Sequence, residues 1–174
     1  MSFSNVYFSL GSNVGARLHY LMQAAVSLSS LLSNPEISRV YETEPQEVTA
    51  QPRFLNLVLC GQCDISPEEL LARCQAIEGE LGRERKPEAK KGPRPIDIDI
   101  LLYGELRSQH RDLTLPHPAM KQRQFVLVPL VEISPELVEP GTGTPYAHYL
   151  SLLSDQGIYY YGGTPYNGEN PEHQ

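Results

Sequence analysis

Gly92-Pro93-Arg94-Pro95-Ile96-Asp97-Ile98-Asp99-Ile100-Leu101-Leu102-Tyr103 alternates isoleucine with aspartate after a proline-bracketed arginine, the period-two pattern of a β-strand. Ile96, Ile98 and Ile100 then share one face and join the core, while Asp97 and Asp99 share the other. At a rise of ~3.3 Å per residue the two aspartate backbones lie roughly 6.6 Å apart. Carboxylates at that spacing can converge on one metal or bracket two metals about 3.5–4 Å apart. Hard oxygen donors without a nearby Cys or His suit magnesium. An amphipathic edge strand with an acidic outer face would show the same pattern. Two like charges on one face repel, so the pair needs a compensating cation. The preceding loop offers Arg83, Arg85, Lys86, Lys90, Lys91 and Arg94 against only Glu84 and Glu88. Arginines for phosphate oxygens beside carboxylates for a metal are what a metal-bound nucleotide polyphosphate requires. A solvated charged loop is the plainer alternative, and spacing alone leaves both open.

The flanking sequence interleaves strands with helices. Residues 3–10 read as a strand, broken by Gly11-Ser12-Asn13-Val14-Gly15. Leu18, Leu21, Ala25, Leu28 and Leu32 follow at helical spacing to about Ser33, where Asn34-Pro35 stops the helix. A second strand is predicted over 37–41 and a turn-rich segment over 42–53. Phe54 to Cys63 is a third strand, with Leu55, Leu57 and Leu59 on one face and Phe54, Asn56, Val58 and Cys60 on the other. Ser66-Pro67-Glu68-Glu69 opens a helix with a capping serine, a first-turn proline and acids at the positive dipole end. Gly82 closes it. After the 96–103 strand, a short helix beginning near Pro129 and another over Ala147–Leu153 are expected. The order β-α-β-β-α-β predicts an α+β, ferredoxin-like fold with an antiparallel sheet and packed helices. One domain over 1–154 is expected, followed by a polar tail, disordered or loosely attached, over 155–174.

The 174 residues are 40% hydrophobic, enough for one real core and too little for two ordinary domains. The formal net charge of -7 argues against general nucleic-acid or anionic-membrane binding. There is no signal-peptide pattern and no apolar run near the ~20 residues of a membrane span, so a soluble cytoplasmic protein is expected. Cys60, Cys63 and Cys74 form an odd set. The Cys60-x-x-Cys63 pair ends a strand rather than opening a helix, so these read as small, partly buried residues.

Two further groupings bear on chemistry. Leu115 to Arg123 places His117, Lys121 and Arg123 in one short irregular segment. Phe54 and Asn56 put an aromatic ring and a carboxamide on one strand face, able to stack on and hydrogen-bond to a flat heteroaromatic ligand. A core aromatic beside a strand-end Asn would look the same. No G-x-x-x-x-G-K-[ST] and no protein-kinase signature is present. A nucleotide enzyme here must use another architecture.

Several motifs in order resemble the 6-hydroxymethyl-7,8-dihydropterin pyrophosphokinase family of folate biosynthesis. They are Leu10-Gly11-Ser12-Asn13, Tyr41-Glu42-Thr43-Glu44-Pro45, Phe54-Leu55-Asn56, Glu78 with Gly82-Arg83-Glu84-Arg85, Lys90 to Leu101, Leu115-Pro116-His117, and Lys121-Gln122-Arg123-Gln124-Phe125. The resemblance runs from Leu10 to about Pro140. It implies an ATP- and magnesium-dependent transfer of pyrophosphate to the pterin hydroxymethyl group, releasing AMP. It also implies that Asp97 and Asp99 bind two magnesium ions bridging the ATP phosphates. Arg83, Arg94, His117 and Arg123 would contact phosphates, Arg85 would assist, and Gln75, Glu78 and Ile100 would lie at the ATP site. The pterin would stack between Phe54 and Phe125. Asn56 and the backbone around Thr43 would read its edge, and Gly11, Asn13 and Asp97 would border it. Asp97 could also accept the hydroxyl proton. Loops 11–15, 42–53 and 83–94 would close over substrates. Many relatives carry an aromatic residue where this chain has Lys91 or Pro118. A monomer is expected. Two other classes compete: a metal-dependent nuclease using Asp97 and Asp99, and a non-catalytic ferredoxin-like binding module.

Overall fold

Alternation of apolar side chains produces the strands that the sequence predicts, and the computed structural model describes them within residues 2–46, 50–82 and 94–161. In chain order they are β1 (Ser4–Ser12), α1 (Arg17–Ser29), β2 (Ser33–Ile37), β3 (Tyr41–Thr43), β4 (Phe54–Cys63), α2 (Pro67–Glu80) and β5 (Asp97–Tyr103). A small hairpin follows, β6 (Ser108–His110) and β7 (Leu113–Leu115). A 3₁₀ turn over Met120–Gln122 then leads into α3 (Gln124–Ile133), α4 (Tyr146–Ser151) and β8 (Ile158–Tyr160). The described residues form an antiparallel sheet in the order β5-β1-β4-β3-β8, with β2 also paired to β4. Counting β2 and β3 as one split strand, the core order is fourth-first-third-second, the ferredoxin-like arrangement.

Both faces of the sheet are covered. Val6, Phe8, Leu10, Leu55, Leu57, Leu59, Ile98 and Ile100 pack against Leu21 and Leu28 of α1 and Leu70 and Cys74 of α2. Val58, Leu101 and Leu102 pack on the opposite face against Val126, Leu127 and Leu130 of α3 and Tyr146 of α4. β4 is therefore buried along nearly its whole length, as an interior strand must be. A register shift opposite Tyr7 and Phe8 leaves Leu101 as an extra residue in β5, a bulge that turns Leu101 and Leu102 toward α3.

Several boundaries differ from the sequence reading, each for a local reason. α1 stops at Ser29, where the Ser30 hydroxyl donates to the Ser27 carbonyl. Asn34, at φ 51°, and Pro35 then lie within a strand rather than only ending a helix. The strand expected over 37–41 is split. Ser38 donates its amide to Val58 O at 2.9 Å, and its hydroxyl accepts the Val58 amide at 2.9 Å. A side chain thus replaces a backbone acceptor and interrupts the ladder. α2 begins as predicted, with Ser66 Oγ accepting the Glu69 amide at 3.3 Å.

α3 begins at Gln124, not near Pro129, and keeps Pro129 inside it. The missing proline N–H costs one helical bond, but Val126, Leu127, Val128 and Leu130 are all buried and hold the helix in place. The stretch beyond 154 is likewise corrected. Ile158 is buried, β8 pairs residue for residue with β3, and Tyr160 stacks obliquely on Tyr41. A three-residue strand is too short to show periodicity. The rest of the expected tail lies outside the described residues. All three cysteines are free and buried, and burial pushes the Cys60 and Cys74 thiols up to about 11 and about 12. No helix among the described residues is long and apolar enough to cross a membrane.

Candidate active site

Antiparallel register fixes the floor of the site. Gly11 lies between Asp97 and Asn56, and Ser9 lies between Asp99 and Val58. Cross-strand partners share a face. Asp97, Asp99, Ser9, Gly11 and Asn56 therefore point to the same side, with Tyr41 and Thr43 alongside. A cavity opens over the end of this face. Phe54, Arg94, Arg123 and Phe125 line it together with Asp97 and Asp99, and the loop residues Glu44, Pro45, Gln46 and Gln51 complete the wall.

The two aspartates border one cavity, as alternation predicts, and a cation already accompanies them. Arg94 Nη2 lies 3.4 Å from Asp97 Oδ2, and its guanidinium sits 5.1 Å from the Phe54 ring centroid. Arg123 stands similarly over Phe125, at 5.4 Å. Each phenylalanine thus carries an arginine over its ring, joining an aromatic wall to a positive one. No cluster of three or more His, Cys, Asp or Glu forms among the described residues. A metal ion here would take Asp97 and Asp99 and leave its other positions to phosphate oxygens and water. That donor set fits magnesium, which is usually held by one or two carboxylates plus substrate phosphates.

Asn56 is buried, and its Nδ2 donates to Thr43 Oγ1 at 2.6 Å. That bond orients the carboxamide so that Oδ1 faces the Gly11 backbone. A Cβ on Gly11 would meet Asn56 Oδ1 at 2.9 Å and Phe54 Cδ1 at 3.5 Å. Gly11 is therefore required for space rather than for a positive φ. Asn13 has a different place from the one expected. It is buried, and it is not among the residues lining the cavity. Its Oδ1 accepts the Arg94 amide at 2.8 Å, and its Nδ2 donates to Gln51 Oε1 at 2.7 Å. It ties the segment entering β5 to the segment entering β4 from behind the wall.

His117 lies beside the cavity. The Ala119 amide donates to His117 Nδ1 at 3.2 Å, leaving the ring proton on Nε2, which is 4.0 Å from Asp99 Oδ2. Burial, reinforced by the Arg123 charge and opposed by Asp97, pushes the imidazole down to about 4. Near neutral pH this is an uncharged N–H donor beside a carboxylate rather than half of an ion pair.

Other expected site residues stand apart from the cavity. Gln75 is exposed and Glu78 buried on α2, in the layer covering the opposite sheet face. Ile100 is also buried on that face, as its alternation with Asp99 demands. Arg83 and Arg85 lie outside the described residues, as does Lys91. Ser9 was legible, because it sits two residues from Gly11 on the same face. Glu44, Pro45, Gln46 and Gln51 fall in the 42–53 loop expected to close over substrates, but no spacing singled them out individually, since loop folding brings them to the wall.

Comparisons with known proteins agree on one family. The model of 7,8-dihydro-6-hydroxymethylpterin-pyrophosphokinase (HPPK) matches residues 7–135. The chain is 42% identical over 137 residues to the 2-amino-4-hydroxy-6-hydroxymethyldihydropteridine pyrophosphokinase of Aquifex aeolicus, covering 79% of this chain and 84% of that protein. It is 41% identical over 138 residues to the Bacillus subtilis protein of the same name, covering 78% and 81%. It is also 41% identical over 154 residues to the folic acid synthesis protein fol1 of Pneumocystis carinii, covering 88% of this chain. The chain spans about a fifth of the length of the fol1 proteins it matches. Among solved structures, wild-type Plasmodium falciparum HPPK-DHPS with pteroate superposes at a TM-score of 0.66 and 13% identity, covering 86% of this chain and 42% of that one. That likeness concerns the fold, and the sequence matches carry the rest: the chain belongs to the 7,8-dihydro-6-hydroxymethylpterin-pyrophosphokinase family.

Proposed function

We infer that this chain transfers the β,γ-pyrophosphoryl group of ATP to the hydroxymethyl oxygen of 6-hydroxymethyl-7,8-dihydropterin. The observation that carries the reading is the convergence, over one sheet face, of a phosphate-suited half and an aromatic half. The pterin oxygen forms a bond to the β-phosphorus and gives up its hydroxyl proton to solvent or to Asp97, while the bond from that phosphorus to the α,β-bridging oxygen breaks and AMP leaves with that oxygen. Such a transfer needs in-line positioning and charge neutralisation more than a protein nucleophile.

The residues divide the work. Phe54 and Phe125 offer ring faces to the pterin. Asn56, its Nδ2 already committed to Thr43, presents Oδ1 to ligand N–H donors. Arg94 and Arg123 bring fixed positive charge from the aromatic walls toward the phosphates, and His117 offers a neutral Nε2–H beside them. Asp97 and Asp99 would hold two magnesium ions. When bound, these would neutralise phosphate charge and orient the triphosphate. Asn13 positions the segments that carry Arg94 and Phe54. Three free buried cysteines suit a reducing compartment such as the cytoplasm.

The direct test follows AMP release with ATP, magnesium and the reduced hydroxymethylpterin. No AMP above background, beside an active positive control, would sink the reading. Two variants probe the aromatic half. Phe54→Ala should weaken pterin binding by roughly tenfold or more through lost stacking, with ATP binding much less affected. Equal losses in titration calorimetry would undercut the stacking assignment. Gly11→Ala should push on the Asn56 carboxamide and cost roughly tenfold in pterin affinity. An unchanged Kd would show that the floor is not the binding surface.

A further inference from the structure

Gln156 precedes β8 and lies beyond the 7–135 span that the family model matches. It touches both walls of the cavity. Its Oε1 accepts the Gln124 amide at 2.9 Å, and its Nε2 donates to the Gln122 carbonyl at 2.8 Å. Its own amide donates to Gln124 Oε1 at 2.8 Å. Its carbonyl accepts from Gln46 Nε2 at 3.1 Å. Gln46 lines the cavity from the loop after β3, while Arg123 and Phe125 line it from the start of α3.

The Gln124 contact has a particular meaning. The first amides of a helix lack internal acceptors and need a cap. Arg123, at the N-cap of α3, makes no side-chain cap bond. The cap comes instead from Gln156, about thirty residues further along the chain. Where α3 starts sets where Arg123 and Phe125 stand.

The neighbouring residues fasten the same segment to the other wall. The Glu44 amide donates to the Gly157 carbonyl at 3.0 Å. Gly157 has φ 76°, and a Cβ there would lie 2.5 Å from Glu44 Cγ, so only glycine permits this approach. Arg53 sits 4.6 Å over the Tyr159 ring and pairs with Glu44 at 2.6 Å. That places a second tie from this strand on the residue just before Phe54.

We propose that residues 155–160 are a strap that sets the spacing between the two walls of the cavity, with Gln156 as a positioning residue for the heteroaromatic substrate. The proposal rests on reading that cavity as the pterin site. Gln156 touches neither phosphate-suited carboxylate. Its loss should therefore act chiefly on pterin recognition, through the spacing of Phe125 from Phe54, and much less on nucleotide recognition through Arg123, because Arg94, Asp97 and Asp99 keep their places.

The test is steady-state kinetics of the full chain carrying Gln156→Ala, well below its melting temperature. Tyr149→Phe serves as the control, since it removes a 2.9 Å bond to Glu139 away from the cavity. Gln156→Ala should raise the KM for the pterin roughly tenfold, with kcat and the KM for ATP within about twofold of wild type. Amide exchange at Gln124 should quicken by a similar factor. An unchanged pterin KM in an active enzyme would overturn the strap alone, as would equal rises in both KM values or an equal rise in Tyr149→Phe. A wild type that binds no pterin would remove the pterin reading, and this proposal with it.

Discussion

Asp97→Ala and Asp99→Ala should each lower AMP release by roughly 10³-fold or more while leaving the fold intact. The two carboxylates are the hard oxygen donors that the cavity offers on the sheet floor, and they share one strand face. On the proposed reading, removing either one would leave a single carboxylate to hold two divalent ions against a triphosphate. Folding should tolerate the change. Both side chains are partly exposed, and each substitution relieves repulsion between like charges two residues apart. Melting temperatures within about 3 °C of wild type are expected, as for surface substitutions. Raising magnesium tenfold should restore part of the lost rate. A variant that turns over near the wild-type rate would mean that the metal site lies elsewhere.

How much of this site the sequence revealed follows from the range of each interaction. Strand alternation is local, so the shared face of Asp97 and Asp99 and the pairing of Phe54 with Asn56 could be read directly. Local capping chemistry placed the start of α2 at Ser66. The resemblance implies a place for Asn13 beside the pterin, yet its side chain bonds to Arg94 and Gln51, far along the chain. Asp99 lines the cavity and Ile100 joins the core on the opposite face for one reason: neighbouring residues on a strand face opposite ways. The split of β2 from β3 hinges on one hydroxyl, Ser38, competing with the backbone ladder. The start of α3 was misread because its cap comes from Gln156, in a segment without periodicity. What escaped the sequence is chiefly what long-range contacts decide.

Acidification should destabilise the protein through His117, and the direction follows from its surroundings. In the unfolded chain the imidazole titrates near its ordinary 6.5, whereas in the folded protein burial, with Arg123 adding to it, holds the group down to about 4. Above pH 6.5 both states are neutral at this position, so the group adds no pH dependence. As pH falls from 6.5 toward 4 the unfolded state binds a proton that the native state refuses. Stability is then lost at up to about 1.4 kcal/mol per pH unit, and about 3 kcal/mol in all. Below pH 4 both states are protonated and this contribution levels off. Twenty-one acidic residues also respond to pH, so the effect is read as a difference between two proteins. Urea unfolding of the ligand-free chain at pH 7 and pH 4 should show wild type losing about 2–3 kcal/mol more than His117→Gln. Glutamine removes the titration and can still accept the Ala119 amide. Parallel losses in the two proteins would show that His117 is not held neutral, and its place as an uncharged donor beside the phosphates would fall with it.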